Sequence, residues 1–327
     1  MKKSVLQLRR DFIRKLMGQD PDSFFSDWDL NDIEIEGTAD EIHNFSMELT
    51  RAGYYGRACY ILEQGIAQYK LNTDLLADYL AYGVRCGQNE KCEEFFNKLD
   101  EISDRRKTWR AFRFAVDYLI YQISETDNDD EISKLKEKAL NLVDRFKKNL
   151  PEEELAYLCE YEIYEATFDE GTGLEKLESF LNDEKRTAKV APKCHLKYID
   201  KMLQKGEYEK ITLYANDGAA EAAQEQESVD TGYFFYALAL AKDALWLKSE
   251  QKKDAIEKNE ANEILRCYQT AYDTLDPDKT AYFKVIEKRY RIIANYSDLS
   301  ESRQLKARKS INENSFELLQ SIQNTVE

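Results

Sequence analysis

Hydrophobic positions along this chain recur at the spacing of helices that bury one face, and small residues interrupt them at a fixed interval. An apolar stripe from Ile42 to Leu49 is followed by a glycine and then by a second stripe that starts with a small residue. The same order returns 34 residues later, and the matching positions are Gly53 and Gly87, Ala58 and Cys92, Leu62 and Phe96, and Gly65 and Leu99. The pattern predicts two consecutive helical hairpins, each with a glycine that accepts the backbone angles of its turn.

Further pairs of apolar stripes predict hairpins along most of the remaining chain. The paired stripes are Trp109, Phe112 and Val116 with Ala139, Val143 and Phe146; Leu158 and Tyr161 with Leu174 and Leu181; Tyr198, Ile199 and Met202 with Ile211 and Ala215; and Tyr233 to Leu240 with Ile264, Tyr268 and Ala271. A last pair, at about Thr280 to Tyr296 and Ser300 to Gln323, is expected to close the series.

This 34-residue unit of two helices resembles the tetratricopeptide-repeat (TPR) family, and the resemblance covers about residues 38–297. It implies an all-α fold, a right-handed superhelix of antiparallel helical hairpins (a TPR-like α-solenoid). The predicted parts are an N-terminal basic helix plus acidic connector (1–41), the hairpin array (42–297) and a C-terminal capping helix (298–327).

Composition agrees with a mainly helical chain. Its 12 glycines and 4 prolines among 327 residues make up about 5% of the chain, where about 12% is usual. So few chain-reversing residues leave little room for a β-sandwich or for glycine-rich phosphate loops. With 43% hydrophobic residues, the chain can nevertheless bury a large core.

Acidic residues outnumber basic ones 63 to 47, so the formal net charge is -16. Because contact with a phosphate backbone needs clustered lysine and arginine, we expect no nucleic-acid partner. No apolar run is long enough for a membrane span, and charged residues from Arg9 to Lys15 interrupt any signal-peptide core. These features predict a cytoplasmic protein.

The N-terminal segment differs in charge from the array. Residues 2–15 carry six basic side chains around an apolar stripe, and residues 20–41 carry nine acidic side chains, no lysine or arginine, and three aromatic residues. The stripe consists of Val5, Leu8, Phe12 and Leu16, and the aromatic residues are Phe24, Phe25 and Trp28. The helix either contacts an anionic membrane or a partner, or packs on the first repeat with an acidic connector behind it.

The sequence offers no catalytic motif, so we expect no enzyme, no catalytic residue and no cofactor. Cys194 and His195 are neighbours on a predicted helix, where adjacent side chains do not face each other. The run from Asp127 to Glu131 is acidic, but Ile132 and Lys138 stand where a calcium loop needs glycine and glutamate, so no metal is expected. The six cysteines form no CxxC pair and are interpreted as reduced core thiols.

In the TPR family the first helix of each hairpin lines a concave groove, and the resemblance carries this role to a set of residues here. The predicted peptide- or protein-binding residues are His43, Asn44, Met47, Arg51, Arg85, Arg110, Phe114, Tyr118, Lys193 and Lys197, with Ala77, Asp78 and Ala81 also on the second unit's groove helix. Because Arg51 and Arg85 are 34 residues apart, they are expected either to line one groove wall for a carboxylate-bearing or acidic peptide, or to form structural ion pairs.

Two functions follow as hypotheses. In the first, the chain is a non-catalytic scaffold or adaptor that binds another protein or an extended peptide in its groove, with self-association left open. In the second, it is a peptide-sensing regulator that resembles the receptor part of bacterial pheromone receptors, and residues 24–41 occupy the groove until a ligand displaces them.

Overall fold

The computed structural model describes residues 2–16, 34–106, 108–224, 230–250 and 258–296. The elements in chain order are β1 (Lys2–Ser4), α1 (Val5–Leu16), β2 (Glu34–Glu36), α2 (Ala39–Arg51), α3 (Tyr55–Gln68), α4 (Thr73–Gly83), α5 (Asn89–Arg106), α6 (Trp109–Ser124), α7 (Asp129–Asn149), α8 (Leu155–Ala166), α9 (Glu170–Leu181), α10 (Pro192–Lys205), α11 (Tyr208–Ala222), α12 (Thr231–Glu250), α13 (Lys258–Thr274) and α14 (Thr280–Tyr296). None of the helices in these ranges is long and apolar enough to cross a membrane.

Helices that are neighbours in sequence pack as antiparallel hairpins, which confirms the predicted fold class. The pairs include α2 with α3, α4 with α5, α6 with α7, α10 with α11 and α12 with α13. The last described helix, α14, begins and ends at the predicted Thr280 and Tyr296. The predicted capping helix at 298–327 lies outside the described residues.

Contacts within the chain divide it into two compact units, Met1–Gly173 and Leu174–Glu327. This division falls inside the stretch 42–297 that the sequence presents as one array. The boundaries of the hairpin array at residues 41 and 297 remain predictions from the sequence.

Glycine ends the first helix of three hairpins. Gly53, Gly87 and Gly206 have φ angles of 85°, 67° and 70°, which lie in the left-handed region. A side chain disfavours this region because its Cβ approaches the backbone, so glycine permits the abrupt turn into the second helix.

The first unit buries large aromatic side chains along its hairpins. Phe45, Phe96, Phe112 and Phe146 are almost completely buried, and the rings of Phe112 and Phe146 stack 5.0 Å apart between α6 and α7. These contacts join the two helices of a hairpin and also join consecutive hairpins into one continuous core.

The basic N-terminal helix packs on the first hairpin. Val5, Leu8 and Phe12 of α1 are buried, and Phe12 meets Phe45 edge to face at 5.9 Å. The Nε atom of Arg9 donates to Glu48 on α2 at 2.8 Å. This arrangement is the packed alternative among the two that the sequence left open.

A short parallel strand pair, which the sequence pattern does not predict, completes the N-terminal region. Residues Lys2–Ser4 pair with Glu34–Glu36, and Ile35 at the centre is fully buried. The backbone of Ile35 is also held by α3, because it donates to Gln64 at 2.9 Å and accepts from Gln68 at 2.6 Å.

The acidic junction of the third hairpin is the start of a helix. Asn128 caps α7, and its side-chain oxygen accepts from the backbone N–H groups of Asp130 at 3.0 Å and Glu131 at 3.3 Å. Acids in the first turn of α7 are favoured by the helix dipole, so their presence has a structural cause.

The second unit is held by an aromatic core and a buried ion pair. Phe234 and Phe235 of α12 are buried, as expected for core residues. Asp243 of α12 accepts two 2.6 Å hydrogen bonds from Arg289 of α14 and one of 2.8 Å from the hydroxyl of Tyr268 on α13. One carboxylate therefore connects the last three helices that the structure describes.

Candidate binding face of the first unit

Helices α2, α4, α6 and α8 lie side by side. Helix α2 packs on α4, α4 packs on α6, and α6 packs on α8. Residues on the shared side of these helices consequently form one surface, here called the α2–α4–α6 face, which is where the sequence predicts a groove.

A polar row crosses this face. His43 of α2 contacts Oδ2 of Asp78 on α4 through its Nδ1 atom, and Arg110 of α6 approaches Oδ1 of the same carboxylate to 2.5 Å. Arg110 also lies 3.1 Å from Asp74 through its Nε atom. The hydrogen bond to Asp78 raises the pKa of His43, although partial burial opposes the shift.

A second row of side chains lies one helical turn further along each helix. Met47, Tyr82 and Phe114 follow His43, Asp78 and Arg110 by four residues, so they share the same side of their helices. All three are half-buried. Burial raises the pKa of the Tyr82 hydroxyl, and the charges of Asp78, Arg110 and Arg51 all act on it. This row, called the apolar row below, is an adaptable hydrophobic surface beside a fixed polar one.

The guanidinium of Arg110 links the two rows. Its central carbon lies 5.2 Å from the ring centre of Phe114 and 5.8 Å from that of Trp109. Cations over aromatic faces are attracted by the ring quadrupole, so Arg110 is oriented by rings as well as by carboxylates.

The polar contacts continue to helix α8. Arg113 of α6 lies 2.7 Å from Glu162 of α8 and 3.0 Å from Asp117 of its own helix. Burial raises the pKa of Asp117, and the adjacent Arg113 opposes that shift. A His–Asp hydrogen bond and two sets of ion pairs thus link α2 through α4 and α6 to α8.

An open cavity of about 630 Å³ adjoins one end of the polar row. It is formed by residues 68–74, between α3 and the first turn of α4, together with Thr108 at the start of α6. Asp74 belongs to both features, since it lines the cavity and pairs with Arg110.

The predicted binding residues fall into different environments. Asn44 and Arg51 are exposed on α2, and Met47 lies half-buried between them. Tyr118 is only 4% exposed and its ring lies 5.4 Å from that of Phe96, so it belongs to the core. Lys193 and Lys197 are half-buried on α10, in the second unit.

Arg85 has an aromatic partner. Its Nη1 atom donates to the hydroxyl of Tyr55 at 2.8 Å, and its guanidinium lies 5.0 Å from the centre of that ring. Tyr55 begins α3 and lies 6.4 Å from Tyr82. The structure therefore places Arg85 against the first hairpin through a tyrosine, a contact that neither interpretation of the arginine pair anticipated.

Sequence reasoning did not identify Asp74, Arg113 and Glu162 as members of this network. The available signal was spacing, because Asp74 and Asp78 lie four residues apart on a groove helix, as do Arg113 and Asp117 on the next one. Their partners come from other hairpins, and the repeat offset alone does not say which charges meet.

The candidate cysteine–histidine pair lies at buried structural positions. Cys194 and His195 are both buried on α10, and the Nε2 atom of His195 lies 3.5 Å from Glu221. Glu221 also accepts from the backbone N–H of Ala191 at 2.7 Å, which fixes the start of α10. Within the described ranges, no three His, Cys, Asp or Glu side chains are grouped to hold a metal ion.

The segment proposed to occlude the groove is described only in part. Residues 34–36 dock on α3, the second helix of the first hairpin, through Gln64 and Gln68. Residues 24–33 lie outside the described residues, so their occupation of the groove stays a prediction.

The succession of helical hairpins in each unit makes the described chain TPR-like. No protein-family model and no curated protein matches the chain in sequence. In fold it is similar to a thermophilic TPR protein of Thermus thermophilus, with 10% identity, 77% of this chain and 98% of that chain covered, and a TM-score of 0.41. It is also similar to human IFIT1, solved as a dimer with m7Gppp-AAAA, with 9% identity, 91% of this chain and 71% of that chain covered, and a TM-score of 0.34.

Proposed function

We propose that the chain is a non-catalytic scaffold whose α2–α4–α6 face binds an extended peptide or a helix of another protein. The observation that carries this proposal is the apolar row of Met47, Tyr82 and Phe114, half-buried and set beside the polar row that Asp78 holds together. Partly exposed aromatic and methionine side chains are the types that dominate protein recognition.

The polar row favours binding because it fixes the surface in advance. Asp78 is 1% exposed and contacts both His43 and Arg110, so three helices keep their relative positions before a ligand arrives. A face that is already ordered loses less conformational entropy on binding, and more of the contact energy is retained as affinity.

The charge distribution selects the kind of ligand. Arg110 is balanced by Asp74 and Asp78, and Arg113 by Asp117 and Glu162, which leaves exposed Arg51 at the end of α2 as the cation best placed to meet a ligand. We therefore propose a ligand with apolar side chains over the apolar row and a carboxylate near Arg51, rather than a uniformly acidic peptide.

Affinity capture of partners tests this function. The full chain is compared with the variants Arg51→Glu and Phe114→Ala. Lys134→Glu serves as the control, because it reverses an exposed charge on α7, the second helix of its hairpin, which is not part of the α2–α4–α6 face. Circular dichroism first establishes that all four proteins are equally helical. We expect one partner that wild type and Lys134→Glu retain and that Arg51→Glu and Phe114→Ala lose.

Titration of that partner against each variant completes the test. Reversal of the Arg51 charge is expected to weaken binding by about 2- to 10-fold, and loss of the Phe114 ring by more than about 10-fold. Equal affinity of all four proteins would place the binding surface elsewhere.

A further inference from the structure

Phe168, in the turn between α8 and α9, combines two unfavourable features. Its side chain is 95% exposed, the highest exposure among the large hydrophobic residues that the structure describes. Its φ angle is 56°, and within the described ranges it is the one residue other than glycine with a positive φ. The left-handed conformation is strained for a residue with a Cβ, so both the backbone and the side chain are in costly states.

The same turn occurs three more times in the part of the chain that the structure describes, each time with glycine. In all four turns the left-handed residue donates its N–H to the carbonyl three residues back, and the next residue donates to the carbonyl five back. The first bond joins Gly53 to Thr50, Gly87 to Val84, Gly206 to Leu203 and Phe168 to Glu165; the second joins Tyr54 to Leu49, Gln88 to Gly83, Glu207 to Met202 and Asp169 to Tyr164. This helix-ending motif strongly favours glycine at the left-handed position.

A scattered apolar residue on a surface needs no explanation, but Phe168 differs from that case. Glycine would close the turn without strain, and its equivalents in this chain show that glycine serves there. The phenylalanine ring is left almost entirely in solvent, so its burial does not offset the backbone strain within the described fold. Retained strain of this kind is characteristic of functional positions.

We propose that Phe168 is the anchor of a docking surface for a different protein, into whose apolar pocket its ring inserts. A hydrogen-bonded turn presents the ring at the end of α8, while the binding face proposed above is built from α2, α4 and α6. The two surfaces use different residues, so this inference does not rest on the proposed function.

Charges around the turn define the rim of the partner's pocket. Glu165, Asp169 and Glu170 flank Phe168 in sequence, and Lys136 of α7 pairs with Asp169 at 3.2 Å. A pocket rimmed by lysine and arginine complements this surface, whereas an anionic membrane is repelled by it.

A stability measurement separates a docking role from a folding role. Phe168→Gly and Phe168→Asn both relieve the left-handed strain, so we expect each to raise the thermal unfolding midpoint, the glycine variant by about 2 to 4 °C. A lower midpoint for both variants would mean that the ring stabilises the fold, and the argument for a docking role would be overturned.

Site-specific crosslinking then identifies the occupant. The full chain, carrying the photoreactive p-benzoylphenylalanine in place of Phe168, is irradiated in native lysate, and the crosslinked peptide is mapped by mass spectrometry. We expect crosslinks to apolar residues of one other protein, with lysine or arginine close by. Unlabelled wild type should compete about 10- to 150-fold better than Phe168→Gly, the range that burial of one large apolar side chain supplies.

Each alternative occupant gives a different result. Equal competition by wild type and Phe168→Gly, or the lack of any specific crosslink, overturns the proposal. A crosslink to a second copy of the chain assigns Phe168 to self-association instead. Sedimentation with vesicles of phosphatidylcholine and phosphatidylserine that is lost with Phe168→Gly assigns it to a membrane, and either result also overturns the proposal.

Discussion

Arg110 Nη2 lies 2.5 Å from Asp78 Oδ1, so a guanidinium on α6 meets a carboxylate on α4 that is almost completely removed from water. His43 on α2 contacts the other oxygen of the same carboxylate. A buried carboxylate is tolerated only when its charge is compensated, and here the two compensating groups belong to two different hairpins. One side chain thus links the three helices of the α2–α4–α6 face.

Removal of that carboxylate is expected to destabilise the first unit strongly. Asp78→Ala leaves Arg110 and His43 without their buried partner, and we expect the free energy of unfolding to fall by about 3 kcal/mol. Asp74→Ala removes a second partner of Arg110 that is 45% exposed, and should cost less than about 1 kcal/mol. Urea unfolding followed by circular dichroism compares the two. Similar losses for both variants would contradict the central role of Asp78.

The His43–Asp78 contact predicts a pH dependence of stability. Since the pKa of His43 is raised in the fold, the native state binds its proton more tightly than the unfolded chain does. The stabilisation is complete below the unfolded value of about 6.5 and is lost as pH rises through the raised native value. His43→Gln should remove this decline, whose slope is at most about 1.4 kcal/mol per pH unit. Urea titrations from pH 6 to pH 9 measure this decline in stability. An equally steep decline in His43→Gln would show that His43 is not its source.

Two glycines with open space around them should respond in opposite directions to alanine. No atom lies within 4 Å of a Cβ built on Gly87 or on Gly56, so packing is not the difference between them. Gly87 has a φ of 67°, and Gly87→Ala is expected to cost about 1 kcal/mol. Gly56 lies within helix α3, where alanine is favoured, so Gly56→Ala should stabilise by up to about 1 kcal/mol. Thermal unfolding measures the change in stability of each variant. A change of the same sign for both variants would contradict the left-handed turn at Gly87.

Thiol reactivity should single out one cysteine. Cys86 is half-buried and the other five cysteines are buried. Burial also raises the pKa of Cys92 to about 11 and that of Cys267 to about 12, which suppresses their reactive thiolates. We expect one fast-reacting thiol with a chromogenic disulfide reagent in native buffer and six in denaturant. In Cys86→Ser the fast phase should vanish, and its persistence would show that another cysteine is accessible.

Local periodicity was sufficient to predict the helices, because a helix that buries one face must repeat its apolar residues every three or four positions. That is why Thr280 and Tyr296 bound α14 as predicted, and why Gly53 and Gly87 mark two turns. Phe168 escaped notice for the same reason. The pattern identifies a left-handed turn by its glycine, and this turn has none.

Contacts between residues from different hairpins were decided only by the tertiary structure. Tyr118 has the spacing of a groove residue, but Phe96 on α5 covers it, while Arg85 rests on Tyr55. The β1–β2 pair joins residues about 30 positions apart, and its short strands carry no repeat that would reveal the pairing. The sequence by itself determined which face of each helix is apolar. The packing of one hairpin on the next determined which residues of that face stay accessible and which charges are neutralised, because both depend on side chains that no local repeat specifies.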